Sequence, residues 1–178
     1  MARLLSLFLS LSLMLVGTAL ADDKVPTFDA QSPKSVALAM QDLGYKAELD
    51  QNDNGEPIIQ GRIARANYTM IFQGCTHKKD CLHILFLAWW DVDTKTDHLP
   101  AVNDWNRDHV MGRAFLNKDE DSIGFDFALA TVGGMTRDTF ADNLQWWGDI
   151  LGDFYQFLDE NVYGGPPPDT ADDNSRDI

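Results

Sequence analysis

Residues 82–90 restrict the fold of this chain more than any other segment, because almost every residue in it is apolar. Successive side chains of a β-strand point to opposite faces of a sheet. Here both faces are apolar: one carries Leu82, Ile84, Phe86, Ala88 and Trp90, and the other carries Leu85, Leu87 and Trp89. Such a strand belongs in the centre of a sheet that is covered on both sides. We expect the second cover to be another element of the domain or a partner subunit.

Three segments have the apolar periodicity of amphipathic helices. The first begins at Ser32-Pro33, an N-cap followed by proline at the first helical position, and ends at Gly44. The second runs over residues 99–111. The third and longest runs over residues 136–161, and its apolar residues recur at spacings of three and four: Phe140, Leu144, Trp147, Leu151, Phe154 and Leu158.

The second helical segment has less regular ends than the other two. Thr96 or Asp97 provides the type of residue that caps a helix N-terminus. We expect the inward side of this helix to be formed by Val102, Trp105 and His109 or Val110.

Five shorter segments alternate between apolar and polar residues, as half-buried strands do. They are residues 46–50, 57–64, 68–73, 112–117 and 122–131, with a turn at residues 52–55. The resulting order is α-β-β-β(-β)-α-β-β-α. It predicts an α+β domain, in which helices pack on an antiparallel sheet.

The first 21 residues have the composition of a secretory signal peptide. Arg3 provides the positive start, residues 4–16 form an apolar core, and Ala19-Leu20-Ala21 places small residues at the positions that determine cleavage. The apolar run is shorter than the ~20 residues that a membrane-spanning helix needs. We therefore expect cleavage after Ala21 and export to the periplasm of a bacterium or to the medium.

Composition divides the remaining residues into three parts. Residues 22–31 form a polar lead-in. Residues 32–161 carry all the predicted elements and form a single α+β domain. Residues 162–178 form an acidic tail rich in proline and glycine, which lacks apolar anchors from Gly164 onward. We expect this tail to be disordered.

The chain is strongly acidic, with 28 Asp and Glu residues against 14 Lys and Arg residues and a formal net charge of −14. Affinity for nucleic acid comes largely from cations that neutralise phosphates. The charge therefore argues against a nucleic-acid partner, and against binding to anionic membranes after signal cleavage. It fits a soluble protein or one with a basic partner.

Cys75 and Cys81 are the two cysteines of the chain. In an oxidising compartment such a pair tends to form a disulfide, which here would join the ends of a hairpin loop and add roughly 2 kcal/mol of stability. Free thiols are a second interpretation. A metal site with His77 and His83 is a third, although the spacing matches none of the usual zinc patterns. We favour the disulfide.

No arrangement of residues identifies a catalytic reaction. The sequence has neither a Gly-x-Ser-x-Gly elbow nor a phosphate-cradling loop, and its four histidines are scattered. We predict no catalytic residue, no metal site and no cofactor.

Two groups of residues are candidates for binding. Asn103, Trp105 and Asn106 form a polar-aromatic cluster that could satisfy buried backbone groups or hold a ligand. The second group comprises the pairs Trp89-Trp90 and Trp146-Trp147. Neighbours in a strand point to opposite faces, and neighbours in a helix diverge by ~100°. We expect one tryptophan of each pair to lie in the core and the other to be available for an interface, with Trp89, Trp90 and Trp146 as the candidates.

Several features of the sequence occur together in one known family. They are Gly44-Tyr45, the strand at residues 59–63, Gly74-Cys75 with Cys81, Asn103-x-Trp105-Asn106, Arg113-Ala114 and the long aromatic helix. In this combination residues 32–158 resemble the YbjN-domain family of bacterial sensory transduction regulators. The resemblance implies an α+β fold similar to that of type III secretion chaperones, which are dimeric, acidic, non-enzymatic protein binders. It carries over no catalytic residue, and the signal peptide sets this chain apart from those cytoplasmic chaperones.

The sequence thus leads to one main hypothesis and one alternative. The main hypothesis is an exported, non-catalytic, regulatory or chaperone-like module of the YbjN type that binds a protein partner or a second copy of itself. The alternative is a small-ligand-binding or enzymatic domain with a pocket near Asn103, Trp105 and Asn106.

Overall fold

The computed structural model describes residues 27–93, 95–117 and 121–164. The elements in these ranges are β1 (Thr27–Phe28), α1 (Pro33–Asp42), β2 (Ala47–Gln51), β3 (Pro57–Ile63), β4 (Ala66–Gln73), β5 (His83–Asp91), α2 (Leu99–Asp108), β6 (Arg113–Asn117), β7 (Ser122–Ala130), β8 (Met135–Thr136) and α3 (Arg137–Asn161). The predicted signal peptide, residues 1–21, and residues 165–178 of the predicted tail lie outside the described ranges. None of the described helices combines the length and the apolar character needed to cross a membrane.

Six strands form one antiparallel sheet in the order β2-β3-β4-β5-β7-β6. β5 pairs with β4 and β7, so that Phe86 lies opposite Met70 on one side and Phe127 on the other. The apolar segment is therefore central, as predicted. After β5 the chain crosses through α2 to the edge strand β6 and returns to the centre as β7. These findings confirm the α+β class and the predicted order of the main elements.

One hydrophobic core joins the three helices to the sheet. The six predicted stripe residues of α3 are each at most 1% exposed. Among them, Trp147 has its ring centroid 5.4 Å from Phe86 and 5.9 Å from Phe125. α2 adds Trp105, 5.5 Å from Phe125, and α1 adds the buried Met40. Burial of each large side chain contributes ~1.5–3 kcal/mol, and each ring pair adds ~0.5–1.5 kcal/mol, so this layer fixes the helices against the sheet.

Side-chain caps set the starts of α1 and α3. The Oγ of Ser32 accepts a hydrogen bond from the amide of Ser35 at 3.4 Å, and the Oγ1 of Thr136 accepts one from the amide of Thr139 at 3.0 Å. Each bond satisfies an N–H group that the first helical turn leaves without a partner. After α1, Gly44 has a φ of +89°, which glycine adopts without steric cost.

The start of α2 differs in detail from the prediction. The N-cap position is occupied by His98 rather than by Thr96 or Asp97, and its side chain makes no capping hydrogen bond. Asp97, the residue before His98, bonds the first turn of the helix instead: its Oδ1 accepts a hydrogen bond from the amide of Leu99 at 3.1 Å. The predicted N-cap at Thr96 or Asp97 is therefore wrong, although Asp97 bonds one amide at the start of the helix.

The end of α2 also differs from the prediction, since the helix stops at Asp108 instead of residue 111. His109 has an extended backbone, which directs the next residue out of the fold. Val110 is accordingly 98% exposed, so its predicted inward position is wrong. The imidazole of His109 instead stacks on Trp105, with ring centroids 3.6 Å apart.

The predicted lead-in contains a strand that the sequence analysis missed. β1 pairs with β8, which places Thr27 opposite Thr136 and Phe28 opposite Met135. The ring of Phe28 also lies 5.1 Å from that of Phe140 in the core. Strands of two residues have no periodicity to detect, and this pairing joins positions far apart in the sequence.

Candidate binding face of the sheet

The side of the sheet that faces away from the helices carries a band of apolar side chains. In β5, Leu85, Leu87 and Trp89 alternate with the core residues and point to this side. The strand register aligns Leu85 with Ile71 of β4, and Ile71 with Ile58 of β3. We call this side the outer face. Its apolar residues in the described ranges include Ile58, Ile71, Leu85, Leu87, Trp89 and Phe115.

The outer face is distinct from the core. Ile58 and Leu87 are each 8% exposed, yet neither belongs to the hydrophobic cluster that contains the helix residues. Trp89 is 43% exposed. Within the described ranges, the helices pack on the opposite side of the sheet, so the second cover that we predicted for β5 is not an element of this part of the chain.

An aromatic pair, Trp89 and Phe115, contributes exposed apolar surface to the outer face. The rings of Trp89 and Phe115 meet edge to face, with centroids 5.1 Å apart. Gly124 of β7 lies between them in the register. A Cβ atom at Gly124 would collide with the ring of Phe115 and come within 2.6 Å of the ring of Trp89. The glycine therefore provides the space that the two rings share.

An ion pair lies beside this aromatic pair. Arg113 of β6 is opposite Asp126 of β7, and its Nε donates to both carboxylate oxygens at 3.2 Å while Nη2 makes a further bond to Oδ2. These hydrogen bonds raise the pKa of Arg113 above its usual value. The guanidinium carbon also lies 5.2 Å from the ring centroid of Phe115, in cation–π range. Asp126 is only 7% exposed, and its hydrogen bonds to Arg113 offset the free-energy cost of burying the carboxylate charge.

A groove of about 520 Å³ crosses the outer face from β2 to β5. Leu87 and Trp89 of β5 form its apolar end, and Lys46 and Arg62 form its cationic end near the β2 edge. Between them lie groups that can donate or accept hydrogen bonds, from Glu48, Gln60, Asn67 and Thr69. We call this cleft the outer-face groove. Its chemistry suits an extended segment that is apolar at one end and acidic at the other.

Cys75 and Cys81 form the predicted disulfide. It closes the loop between β4 and β5, and Cys81 is fully buried. Three non-glycine residues of this loop have positive φ, namely His77, Lys78 and Asp80. The bond occupies both sulfur atoms, which removes the cysteine ligands from the metal interpretation. In the described ranges, no three His, Cys, Asp or Glu side chains are grouped closely enough to hold a metal ion.

The Asn-Trp-Asn cluster of α2 makes internal contacts. The Nδ2 of Asn106 donates to the carbonyl of Ala114 and its Oδ1 accepts from the amide of Ala114, both at 2.9 Å. Trp105 is 1% exposed, and its Nε1 donates to the carbonyl of Gly112 at 3.4 Å. Asn103 is exposed on the helix surface. These contacts favour a structural role for Asn106 and Trp105, whereas a binding role for Asn103 stays a prediction.

The candidate tryptophans lie on different surfaces. Trp90 is partly buried on the helix side of the sheet, where its ring centroid is 5.3 Å from that of Phe154. Trp146 is 49% exposed on α3, while the adjacent Trp147 is fully buried. The sheet thus separates Trp89 from Trp146, and the fold does not bring the candidate residues together at one site.

Sequence reasoning did not identify Lys46, Arg62 or Phe115 as site residues. The alternation of β6 contains the signal for Phe115, since it must point away from the buried Ala114. The grouping of Lys46 and Arg62 with Trp89 depends on the order and register of four strands. That information is not available from the sequence of any single segment.

Comparison with known proteins agrees with the fold. The profile of the YbjN family, described as "Putative bacterial sensory transduction regulator", matches residues 32–160. No curated protein sequence matches the chain. Among solved structures, the crystal structure of "YbjN, a putative transcription regulator from E. coli" aligns with a TM-score of 0.56 and 14% sequence identity, over 71% of this chain and 90% of that chain. At this identity the structural likeness concerns the fold alone. Because the family profile spans the chain from α1 nearly to the end of α3, the protein belongs to the YbjN family.

Proposed function

We propose that this protein is a non-catalytic regulatory domain that acts by binding another protein through the outer face of its sheet. The observation that carries the proposal is Trp89, which is 43% exposed on an apolar face that no element of the described ranges covers. Aromatic residues are enriched at the centres of protein interfaces, so an exposed tryptophan on an apolar face marks a candidate interaction site. The description of the family as a regulator supports the same role.

The proposed regulation operates through protein contacts rather than through DNA. The E. coli relative is described as a transcription regulator. The present chain, however, has a net charge of −14, and direct binding to DNA would require it to neutralise phosphates with cations. A protein partner avoids this conflict.

The proposed place of action is the periplasm or the medium. Residues 1–21 have the order of a signal peptide, and a disulfide such as Cys75–Cys81 persists in oxidising compartments. Both features support export. The partner is then another protein of that compartment.

The alternative of a small-ligand or catalytic pocket around α2 has less support. The side-chain amide of Asn106 already bonds both backbone groups of Ala114, and Trp105 is buried. Asn103 is therefore the one member of the cluster whose surroundings leave it open to a ligand.

A photo-crosslinking amino acid at position 89, introduced into the exported protein in living cells, tests the proposal. The matched control is position 146, a tryptophan of similar exposure on α3. We expect protein adducts from position 89 and few or none from position 146. Equal yields at the two positions, or no adduct from position 89, would refute binding through the outer face. An adduct of twice the chain mass would identify the partner as a second copy.

A further inference from the structure

One row of side chains crosses the outer face at right angles to the strands. The register places one residue from each of four neighbouring strands, β5, β4, β3 and β2, in this row. Its members, which all line the outer-face groove, are Trp89, Asn67, Arg62 and Lys46. On the other side of Trp89 the row continues through Gly124 to Phe115. The row is therefore aromatic at one end and cationic at the other.

The distances along this row follow from the spacing of the strands. Neighbouring strands lie ~4.8 Å apart, which puts the backbone of Arg62 about 10 Å and that of Lys46 about 14 Å from Trp89. An extended chain advances about 3.3 Å per residue. A bound segment that runs along the row and places a side chain on Trp89 therefore brings the residue three positions away to Arg62. The residue four positions away reaches Lys46.

The cationic end of the row has a charge opposite to that of the whole chain. Two of the groove residues, Lys46 and Arg62, are basic and one, Glu48, is acidic. Lys46 Nζ lies 3.2 Å from Glu48. Arg62 makes no ion pair within the described ranges, and its hydrogen bond there is a 3.5 Å contact with the carbonyl of Arg65. Because a guanidinium offers a fork of donors that fits a carboxylate, Arg62 is the group most able to bind one from a ligand.

The net charge of −14 does not oppose this binding strongly. At physiological ionic strength the Debye length is ~8 Å, so exposed charges farther from the groove are largely screened. In the adjoining part of the sheet, the carboxylate of Asp126 is hydrogen-bonded to Arg113. A ligand at the cationic end thus meets chiefly Lys46, Arg62 and Glu48, whose charges sum to a positive value.

We propose that the outer-face groove binds an extended segment of a different protein, in which carboxylates stand three and four residues from a large apolar side chain. The apolar side chain lies on Trp89, and the carboxylates lie on Arg62 and Lys46. This inference rests on the proposed function, since it names the chemistry that the same face recognises. Trp89 alone offers contact to any apolar group, whereas the two cations select among apolar segments by charge.

A synthetic peptide titrated into the full exported protein tests this recognition, with indole NMR as the readout. The probe is Glu-Asp-Ser-Thr-Phe-Thr-Ser-Glu-Asp, acetylated and amidated. It has acids three and four positions from phenylalanine in both chain directions, so the direction of binding need not be known. One control peptide replaces the four acids by glutamine and asparagine, and another replaces phenylalanine by alanine. The chain has five tryptophans, and a Trp89→Phe variant assigns the signal of interest.

Two double variants of the protein complete the experiment. Arg62→Gln with Lys46→Gln removes both cations of the groove. The matched control, Arg137→Gln with Lys34→Gln, removes the same two charges from exposed positions on α3 and α1.

We expect the acidic peptide to shift the Trp89 signal saturably and to leave that of Trp146 in place. Its affinity should fall roughly three- to tenfold in the groove variant, because two exposed ion pairs are lost, and stay unchanged in the control variant. The uncharged peptide should lose as much affinity, and the alanine peptide should no longer shift Trp89. Equal affinities for the acidic and uncharged peptides, or for the two double variants, would overturn the proposal. A Trp89 signal that no peptide shifts would overturn it as well.

Crosslinking from position 89 separates this inference from the proposed function. Adducts that persist unchanged with Arg62→Gln and Lys46→Gln would contradict this inference alone. An adduct of twice the chain mass would also contradict it, because the occupant would be a second copy. Absence of any adduct would instead refute the proposed function, whatever the peptides do.

Discussion

Replacement of Asn106 by alanine tests whether the Asn-Trp-Asn cluster is structural. β6 is an edge strand, and Ala114 lies in it with 2% exposure. The side-chain amide of Asn106 bonds both the N–H and the C=O of Ala114, on the side of β6 that faces away from β7. It therefore satisfies backbone groups of the open sheet edge that a further strand would otherwise bond. Alanine at position 106 would leave both backbone groups without these partners.

The expected cost follows from the two hydrogen bonds. Each hydrogen bond contributes ~1 kcal/mol net, and a buried backbone group that is left without a partner costs more than the bond alone. We therefore expect Asn106→Ala to lower the free energy of unfolding by about 2–3 kcal/mol. For a domain of this size, that loss corresponds to roughly 5–10 °C in Tm.

Asn103→Ala is the matched control, because it makes the same substitution three residues earlier on the same helix. Both residues are exposed, but the side chain of Asn103 makes no hydrogen bond within the described ranges, and changes at such positions usually stay within ~0.5 kcal/mol. Alanine also raises helix propensity by a similar amount at both positions, so the difference between the variants isolates the contacts of Asn106.

Urea unfolding followed by tryptophan fluorescence provides the measurement, with equal m-values required for the comparison. Equal stability of the two variants would refute the structural reading of Asn106. If Asn106→Ala also kept wild-type stability and abolished binding of a small molecule, the pocket hypothesis would gain support.

Three further predictions concern other parts of the chain. Gly124→Ala should cost ~1–3 kcal/mol in urea unfolding by forcing the Trp89–Phe115 pair apart, and Gly124→Ala with Phe115→Leu should recover part of that loss. Replacement of Cys75 and Cys81 by alanine should remove roughly 2 kcal/mol of stability, and reducing agent should then have no further effect on the urea midpoint. Burial, and secondarily the nearby Tyr45, raises the pKa of Tyr68, so the fold favours the neutral phenol and should lose stability as pH rises above ~10, where an unfolded tyrosine ionises. Tyr68→Phe should weaken that loss without destabilising the protein at pH 7, because the buried hydroxyl has no hydrogen-bond partner among the described residues. Thermal melts of both proteins from pH 7 to 11 would refute this reasoning if their profiles coincided.

The core was predictable from the sequence because its signal repeats along each element. The stripe from Phe140 to Leu158 is visible in one segment, and all six of its residues are buried. The outer face was only half predictable. The apolar second side of β5 indicated a cover, but the groove also needs Lys46 and Arg62, which reach Trp89 through the pairing of β2, β3 and β4. Local patterns carry no such register, and the short pairing of β1 with β8 was missed for the same reason.

The composition of the outer face limits where a partner can gain most from binding. Near its middle, Leu87 is already 8% exposed, so a partner would remove little additional surface from water there. Asp126 beside it is buried and hydrogen-bonded to Arg113, and leaving that carboxylate without its partner would be costly. Trp89 differs from Leu87 and Asp126 because almost half of its surface is exposed. Its ring contacts Phe115 of the edge strand β6 on one side and lines the outer-face groove on the other. The hydrophobic gain per contact is therefore largest at Trp89, which is where a partner bound to the outer face should make its main contact.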